Sequence, residues 1–324
     1  MAGPKSKKVI YAALAGNALI AVTKFFAAAY TGSSAMVSEG IHSLVDTGNQ
    51  GLLLHGLRRA KQEPDRDHPF GYGMELYFWT FVVAILIFAV GAGISIYEGV
   101  NQLMDPHIIE DPYINYIVLA LAMVFEGFAW TVAMKEFRRV KGKRGIFEEV
   151  RRSKDPTLFT VLFEDTAAML GLVAAFIGIA AAQVLGIPEM DAVASLVIGA
   201  ILALTAVMLA YESKGLLVGE SALPHVVGGI REIAGGYDEI ERVNEVLTMH
   251  MGPRDVLVNL SLDFKNDLSA GAVEKTVTKI ERAVKKEFDE VTRIFVEAQS
   301  RQSHTAELRK AKETLRRHSE EPEG

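Results

Sequence analysis

The chain is predicted to be an α-helical membrane protein with a small α+β domain after its last span. Three observations predict this: repeated apolar segments of spanning length, alternation of charge between the connections, and a change of composition near residue 213. At 324 residues and 50% hydrophobic, the chain is long for one domain and too apolar for an ordinary soluble one. The formal net charge of −6 conceals an uneven distribution of sign that carries more information than the total.

Six segments are long enough, at about 1.5 Å per residue, to cross a hydrocarbon core of about 30 Å. They are 9–30, 34–57, 76–104, 113–134, 158–185 and 192–211. The first is too long for a signal-peptide core and is read as a retained span. Thr31-Gly32-Ser33 makes a tight turn between the first two. Lys5, Lys7 and Lys8 precede span 1, and Arg58, Arg59, Lys61 and Arg66 follow span 2. Lys135, Arg138, Arg139, Lys141, Lys143, Arg144, Arg151, Arg152 and Lys154 lie between spans 4 and 5. The other three connections contain no Lys or Arg, and the charged residues there are acids such as Asp105, Glu110, Asp111 and Glu189. The positive-inside rule then places both termini in the cytoplasm. The expectation is an integral protein of a bacterial-type cytoplasmic (inner) membrane, with lipid around it and no nucleic-acid partner.

From Ser213 the pattern becomes that of a soluble domain. A helix is expected at 226–234, a strand at 243–251, and a turn at Gly252-Pro253-Arg254-Asp255. Val256, Val258, Leu260, Leu262 and Phe264 then alternate at period two, and Val273, Val277, Ile280 and Val284 form a helical stripe. A strand at 293–298 completes an αββαβ order, for which an open antiparallel sheet with helices on one face is expected. Beyond Ser300 the chain is densely charged and reads as a solvated helix or disordered tail. The expected domains are 1–212, 213–300 and 301–324.

Span 2 carries Glu39, His42, Asp46, Asn49 and Gln50 in an otherwise apolar run. An ionisable residue within a span costs about 2.5–3.5 kcal/mol on insertion scales, so it marks function. His42 and Asp46, at i and i+4, share one helix face, and an imidazole beside a carboxylate is half of a tetrahedral zinc site. Span 5 carries adjacent Glu164 and Asp165, with no Lys or Arg in that span. Asp46 and Asp165 fall at similar depths, and carboxylates gathered in low dielectric repel unless a cation joins them. With no cysteine, a metal must use N and O ligands, and the imidazole favours a Zn²⁺-like ion over Mg²⁺ or Ca²⁺. The plainer alternative is that these groups hold spans together by interhelical hydrogen bonds. Lys24 is expected to snorkel to the outer surface, and Asn17 and Glu126 to satisfy neighbours within the bundle.

The residues also resemble a known family. Tyr-Thr-Gly-Ser (30–33), Ser-Glu-Gly-Ile-His-Ser-Leu-Val-Asp (38–46), Asp-His-Pro-Phe-Gly-Tyr-Gly-Met-Glu (67–75) and Glu-Asp-Thr-Ala-Ala (164–168) are similar to motifs of the cation diffusion facilitators. Thr47–Gln50 and the Glu-Asp-Thr-Ala run look most like the zinc-transporter branch related to mitochondrial-type members. The resemblance implies a six-span protomer, a two-fold homodimer, a ferredoxin-like cytoplasmic domain, and a transport site of His42, Asp46 and Asp165. Val161 stands where zinc members place a further ligand, so Glu164, Asn49 or water is left as the fourth. A secondary site in the loop after span 2 would use Asp65, Asp67 and His68, although Tyr72 stands where a second histidine is usual. Asn259 and Glu297 occupy strand positions that bear metal-binding histidines in some members, and His225 and His250 stand alone.

The function so implied is Zn²⁺/H⁺ antiport by alternating access, with zinc and protons as substrates and no prosthetic group. The alternatives are export of Mn²⁺, Fe²⁺ or Co²⁺ by the same fold, and a membrane metal sensor or scaffold that does not transport. No enzyme is expected, since an intramembrane hydrolase needs a substrate groove that nothing in the sequence suggests.

Overall fold

The computed structural model describes residues 4–106, 111–141 and 145–320. Glu110, Lys143 and Arg144, and the side chains of Lys5, Lys7, Lys8, Lys141 and Arg151, lie outside the described residues. The chain divides into two units, Met1–Leu217 and Val218–Gly324.

The first unit is helical. Its elements are α1 (Pro4–Thr31), α2 (Ser34–Arg59), α3 (Glu75–Leu86), α4 (Gly93–Met104), α5 (Pro112–Lys141), the short α6 (Ile146–Arg152), α7 (Pro156–Leu185) and α8 (Glu189–Val218). A π-helical turn, Ile87–Ala92, joins α3 to α4. Local sequence explains the ends. Asp155 caps α7 by accepting from the Thr157 amide at 3.0 Å, Pro156 occupies the first turn, and left-handed Gly186 (φ 66°) closes it.

Among the described residues, four stretches are long and apolar enough to cross a membrane: Glu75–Met104, Pro112–Arg139, Phe159–Leu185 and Glu189–Val218. The protein is therefore an integral membrane protein. Helix α2, at 26 residues, has the length but is diluted by its polar stripe. The outward apolar side chains, such as Phe26, Phe128 and Leu204, are well exposed, as a lipid-facing surface requires. Between α7 and α8 the backbones come close at Gly178, where a Cβ would run into Ala194 and lie 2.9 Å from the Met190 carbonyl. Small residues at such crossings replace the hydrophobic drive that lipid cannot supply.

The second unit contains α9 (Pro224–Gly235), β1 (Ile240–Gly252), β2 (Asp255–Phe264), α10 (Ala270–Glu287), β3 (Val291–Ala298) and α11 (Arg301–Glu320). Val256, Val258, Leu260 and Leu262 are fully buried and meet Val226 and Ile230 of α9 and Ile280 and Val284 of α10. The expected αββαβ order is present, but the sheet is mixed rather than antiparallel. Its order is β1-β2-β3, with β1 and β2 antiparallel and β2 and β3 parallel. The 18-residue α10 carries the chain back to the starting end of β2, so β3 runs alongside it in the same direction. The charged segment after Ser300 is helical over Arg301–Glu320. Its start is tied down where the Arg301 amide donates to Asp263 (2.9 Å) and Gln299 donates to Glu307 (2.8 Å).

Candidate metal site

The candidate site is carried by α2, so whatever holds α2 sets its geometry. Ser33 is the N-cap, and its Oγ accepts from the Met36 amide at 3.2 Å. The fully buried Asp191, in the first turn of α8, reinforces that cap. Its carboxylate accepts from the Ser33 hydroxyl (2.7 Å), the Ser34 amide (2.6 Å), the Ser34 hydroxyl (3.1 Å) and the Ala35 amide (3.4 Å). A carboxylate there satisfies the free N–H groups of the helix start and meets the positive end of its dipole. One turn further on, the Ser38 and Ser195 hydroxyls are hydrogen-bonded, and Ser195 Oγ lies 2.9 Å from the Ser95 carbonyl of α4.

The other tether contradicts the expectation for Lys24. Its side chain is 0% exposed and does not snorkel. The ammonium turns inward to Glu39 Oε2 and Ser43 Oγ of α2, each at 2.8 Å. A partner for the charge within the bundle makes a route to the surface unnecessary. Glu39 Oε1 has no hydrogen-bond partner among the described residues and faces Gly171 of α7, where a Cβ would collide with it.

Between these tethers lies the polar stripe. His42 Nε2 and Asp46 Oδ2 are 3.4 Å apart, and the two residues are 2% and 8% exposed. Both imidazole nitrogens, Asp46 Oδ1 and Asn49 Oδ1 lack hydrogen-bond partners among the described residues. Leaving a buried polar atom unpaired costs about 1–3 kcal/mol. Nitrogen and oxygen donors left open on one helix stripe are therefore a set that a cation would satisfy.

Facing α2, buried Glu164 of α7 accepts from Asn49 Nδ2 at 2.8 Å. Asp165, the next residue, is half-buried, and Trp130 Nε1 donates to the adjacent Thr166 hydroxyl at 3.0 Å, tying α5 to α7. Glu164, Glu126 and Asp165 all lie within electrostatic reach of Asp46. Among the described residues no three His, Asp or Glu side chains are drawn into a closed coordination shell. The structure thus pairs His42 with Asp46 and Glu164 with Asn49, and brings Asp165 near without closing it onto either pair. Glu126, read from sequence only as a packing group, belongs to this acidic neighbourhood. Its sole sequence signal was a carboxylate in an apolar helix.

The loop after α2 is organised by Asp65. Its Oδ1 accepts from the amides of Asp67 (3.0 Å) and His68 (2.7 Å), and its Oδ2 from the Tyr72 hydroxyl (2.6 Å). The Tyr72 hydrogen bond, and after it the His68 amide, hold the Asp65 carboxyl below the usual carboxylate range. The same bond pushes the Tyr72 phenol up. His68 Nδ1 is 3.5 Å from Asp65 Oδ1, and its ring lies 4.3 Å from that of Tyr72. Both Asp65 oxygens are thus committed to loop hydrogen bonds, while Asp67 and His68 are exposed. In the second unit Asn259, Glu297 and His225 are exposed, and His250 is buried with Nδ1 3.2 Å from the Gly252 carbonyl.

Residues 10–218 match the family model described as the cation efflux transmembrane domain. The chain is 36% identical over 259 residues to the mitochondrial proton-coupled zinc antiporter SLC30A9 of Homo sapiens, covering 79% of this chain and 46% of that protein. It is 26% identical to metal tolerance protein C4 of Arabidopsis thaliana, covering 81% of this chain and 58% of that one. It is 23% identical to the manganese efflux system protein MneP of Bacillus subtilis (strain 168), covering 90% and 95%. The chain spans about half the length of the first of these relatives.

Proposed function

The chain belongs to the cation efflux family, and from that premise we propose that it exports a divalent metal ion, Zn²⁺ foremost, in exchange for protons. The observation that carries this reading is the row of buried groups on α2 that have no hydrogen-bond partner among the described residues: the His42 nitrogens, Asp46 Oδ1 and Asn49 Oδ1. His42, Asp46 and Asp165 are proposed as ligands, with Glu164 or Asn49 as the fourth. Zinc prefers such a four-coordinate N/O set. Similarity to a proton-coupled zinc antiporter supports the choice of ion and of coupling.

The exchange follows from ligand chemistry. Ligands bind metal only when deprotonated, so arrival of the ion expels protons from His42 and the carboxylates. Protons arriving from the more acidic side compete with the metal for the same ligand atoms and return the site to its metal-free form. Tilting of α7 against α2 would bring Asp165 to the His42–Asp46 pair and separate it again. We further propose that α1 and α2 complete a six-span bundle, and that the basic connections mark the cytoplasmic side, with both termini there. The αββαβ unit is proposed as a ferredoxin-like cytoplasmic domain supporting a homodimer, and the loop site of Asp65, Asp67 and His68 as structural rather than metal-binding.

Export of Mn²⁺ is the second reading. Asp46, Asn49, Glu164 and Asp165 make an oxygen-rich neighbourhood, and the chain resembles a manganese efflux protein. Flux in proteoliposomes under an imposed pH gradient tests both readings. Zinc uptake driven by the gradient and abolished by Asp46→Ala is expected. Transport by Asp46→Ala at the wild-type rate would overturn the site, and a preference for Mn²⁺ in competition would overturn the choice of zinc.

A further inference from the structure

The bundle buries several carboxylates and, among the described residues, one cation. Glu39, Asp46, Glu126 and Glu164 are buried in it, and Asp165 is half-buried. Among the described residues Lys24 is the sole buried lysine or arginine. Its ammonium is fixed by two 2.8 Å contacts, to Glu39 Oε2 and Ser43 Oγ, and Ser43 is the residue between His42 and the Asp46 turn. The ammonium lies within electrostatic reach of His42, Asp46 and Glu126.

A strut between α1 and α2 does not explain this arrangement. A buried ion pair contributes little net stability, because desolvation cancels most of the attraction. A strut also has no reason to leave Glu39 Oε1 without a hydrogen-bond partner among the described residues, as it is here. A fixed charge in low dielectric, by contrast, acts strongly on any other charge nearby.

We infer that Lys24 is the resident counter-cation of the transport site. It offsets the carboxylates around His42 and Asp46 when the site is free of metal, and it weakens their hold on a dication so that the cargo can leave. Lys24 is a positioning residue that touches no cargo and acts through the field it places on α2. Its partner Glu39 sets how much of that field is felt. The inference rests on the antiport reading above.

The test compares Zn²⁺ affinity and gradient-driven flux for the full chain, reconstituted as wild type, Lys24→Met, Lys24→Arg, Glu39→Gln and Lys24→Met/Glu39→Gln. Removing the positive charge is expected to tighten zinc binding about tenfold, and removing the negative charge to weaken it by a similar factor. Lys24→Met should lower KM and kcat together, since metal enters easily but leaves slowly. Lys24→Arg and the double variant, both of which preserve net charge, should bind as wild type does. Affinity that falls or stays unchanged in Lys24→Met, without rescue in the double variant, would overturn the inference in favour of a strut. If Lys24→Met does not fold, Glu39→Gln decides: weaker binding supports the inference and unchanged binding overturns it. Absence of zinc–proton exchange in the wild type would instead overturn the antiport reading, so the two failures are distinguishable.

Discussion

Asp191→Ala should be among the most damaging single substitutions in the bundle, although it lies outside the proposed ligand set. The carboxylate is fully buried and accepts four hydrogen bonds at the start of α2, the shortest from the Ser34 amide at 2.6 Å and the Ser33 hydroxyl at 2.7 Å. Losing an N-cap acceptor costs about 1 kcal/mol. Stranding the Ser34 amide without a partner adds about 1–3 kcal/mol. Removing a negative charge from a helix N-terminus adds about 0.3–1 kcal/mol more. These terms overlap, so the expected loss is about 3–4 kcal/mol for Asp191→Ala. Asp191→Asn keeps one acceptor oxygen and should lose about 1–2 kcal/mol. Equilibrium unfolding in mixed micelles measures both, followed by the fluorescence of Trp79 and Trp130, the two tryptophans of the chain. Glu189→Gln, two residues away without these bonds, is the control and should stay within about 0.5 kcal/mol of wild type. Ser34→Ala combined with Asp191→Asn should show a coupling energy of at least about 0.5 kcal/mol. A loss under about 1 kcal/mol in Asp191→Ala, or additive behaviour in the pair, would refute the claim that Asp191 clamps α2.

Three further outcomes are expected. Gly171→Ala should cost about 1–3 kcal/mol in the same assay, because its Cβ meets Glu39 Oε1 while Lys24 holds the other carboxylate oxygen. Ile280→Ala, at a fully buried core position of the second unit, should cost about 2–5 kcal/mol and show as a lowered calorimetric transition. In the loop after α2, a carboxyl whose folded-state pKa is lowered adds stability above its unfolded pKa and loses it as pH falls through the lowered value. The Asp67 and His68 amides, which donate to Asp65, should therefore keep their hydrogen-exchange protection down to about pH 4 and lose it below. Asp65→Asn should weaken that protection already at neutral pH, and equal protection in the two proteins would count against the loop design.

The sequence by itself determined the features that depend on neighbours along the chain. Apolar length marked the long helices, and period-two alternation marked β2. Helical spacing placed His42 and Asp46 on one stripe, with either Asn49 or Gln50 next along it, because a 3.6-residue repeat aligns positions three and four apart whatever surrounds the helix. The tertiary structure alone decided the pairings between distant residues. Asp191 reaches Ser33 from 158 positions away, and Lys24 reaches Ser43 from 19, so no local pattern could announce either bond. Snorkelling and inward pairing are both open to a lysine of the same sequence, and the presence of Glu39 and Ser43 on the adjoining helix chose between them. The direction of β3 was likewise undecided by its residues, since the same alternation suits either neighbour. The path of α10 made it parallel to β2. The stripe on α2 was therefore legible as chemistry, while its clamp by Asp191, its counter-charge at Lys24 and its facing acids on α7 are properties of the packed bundle.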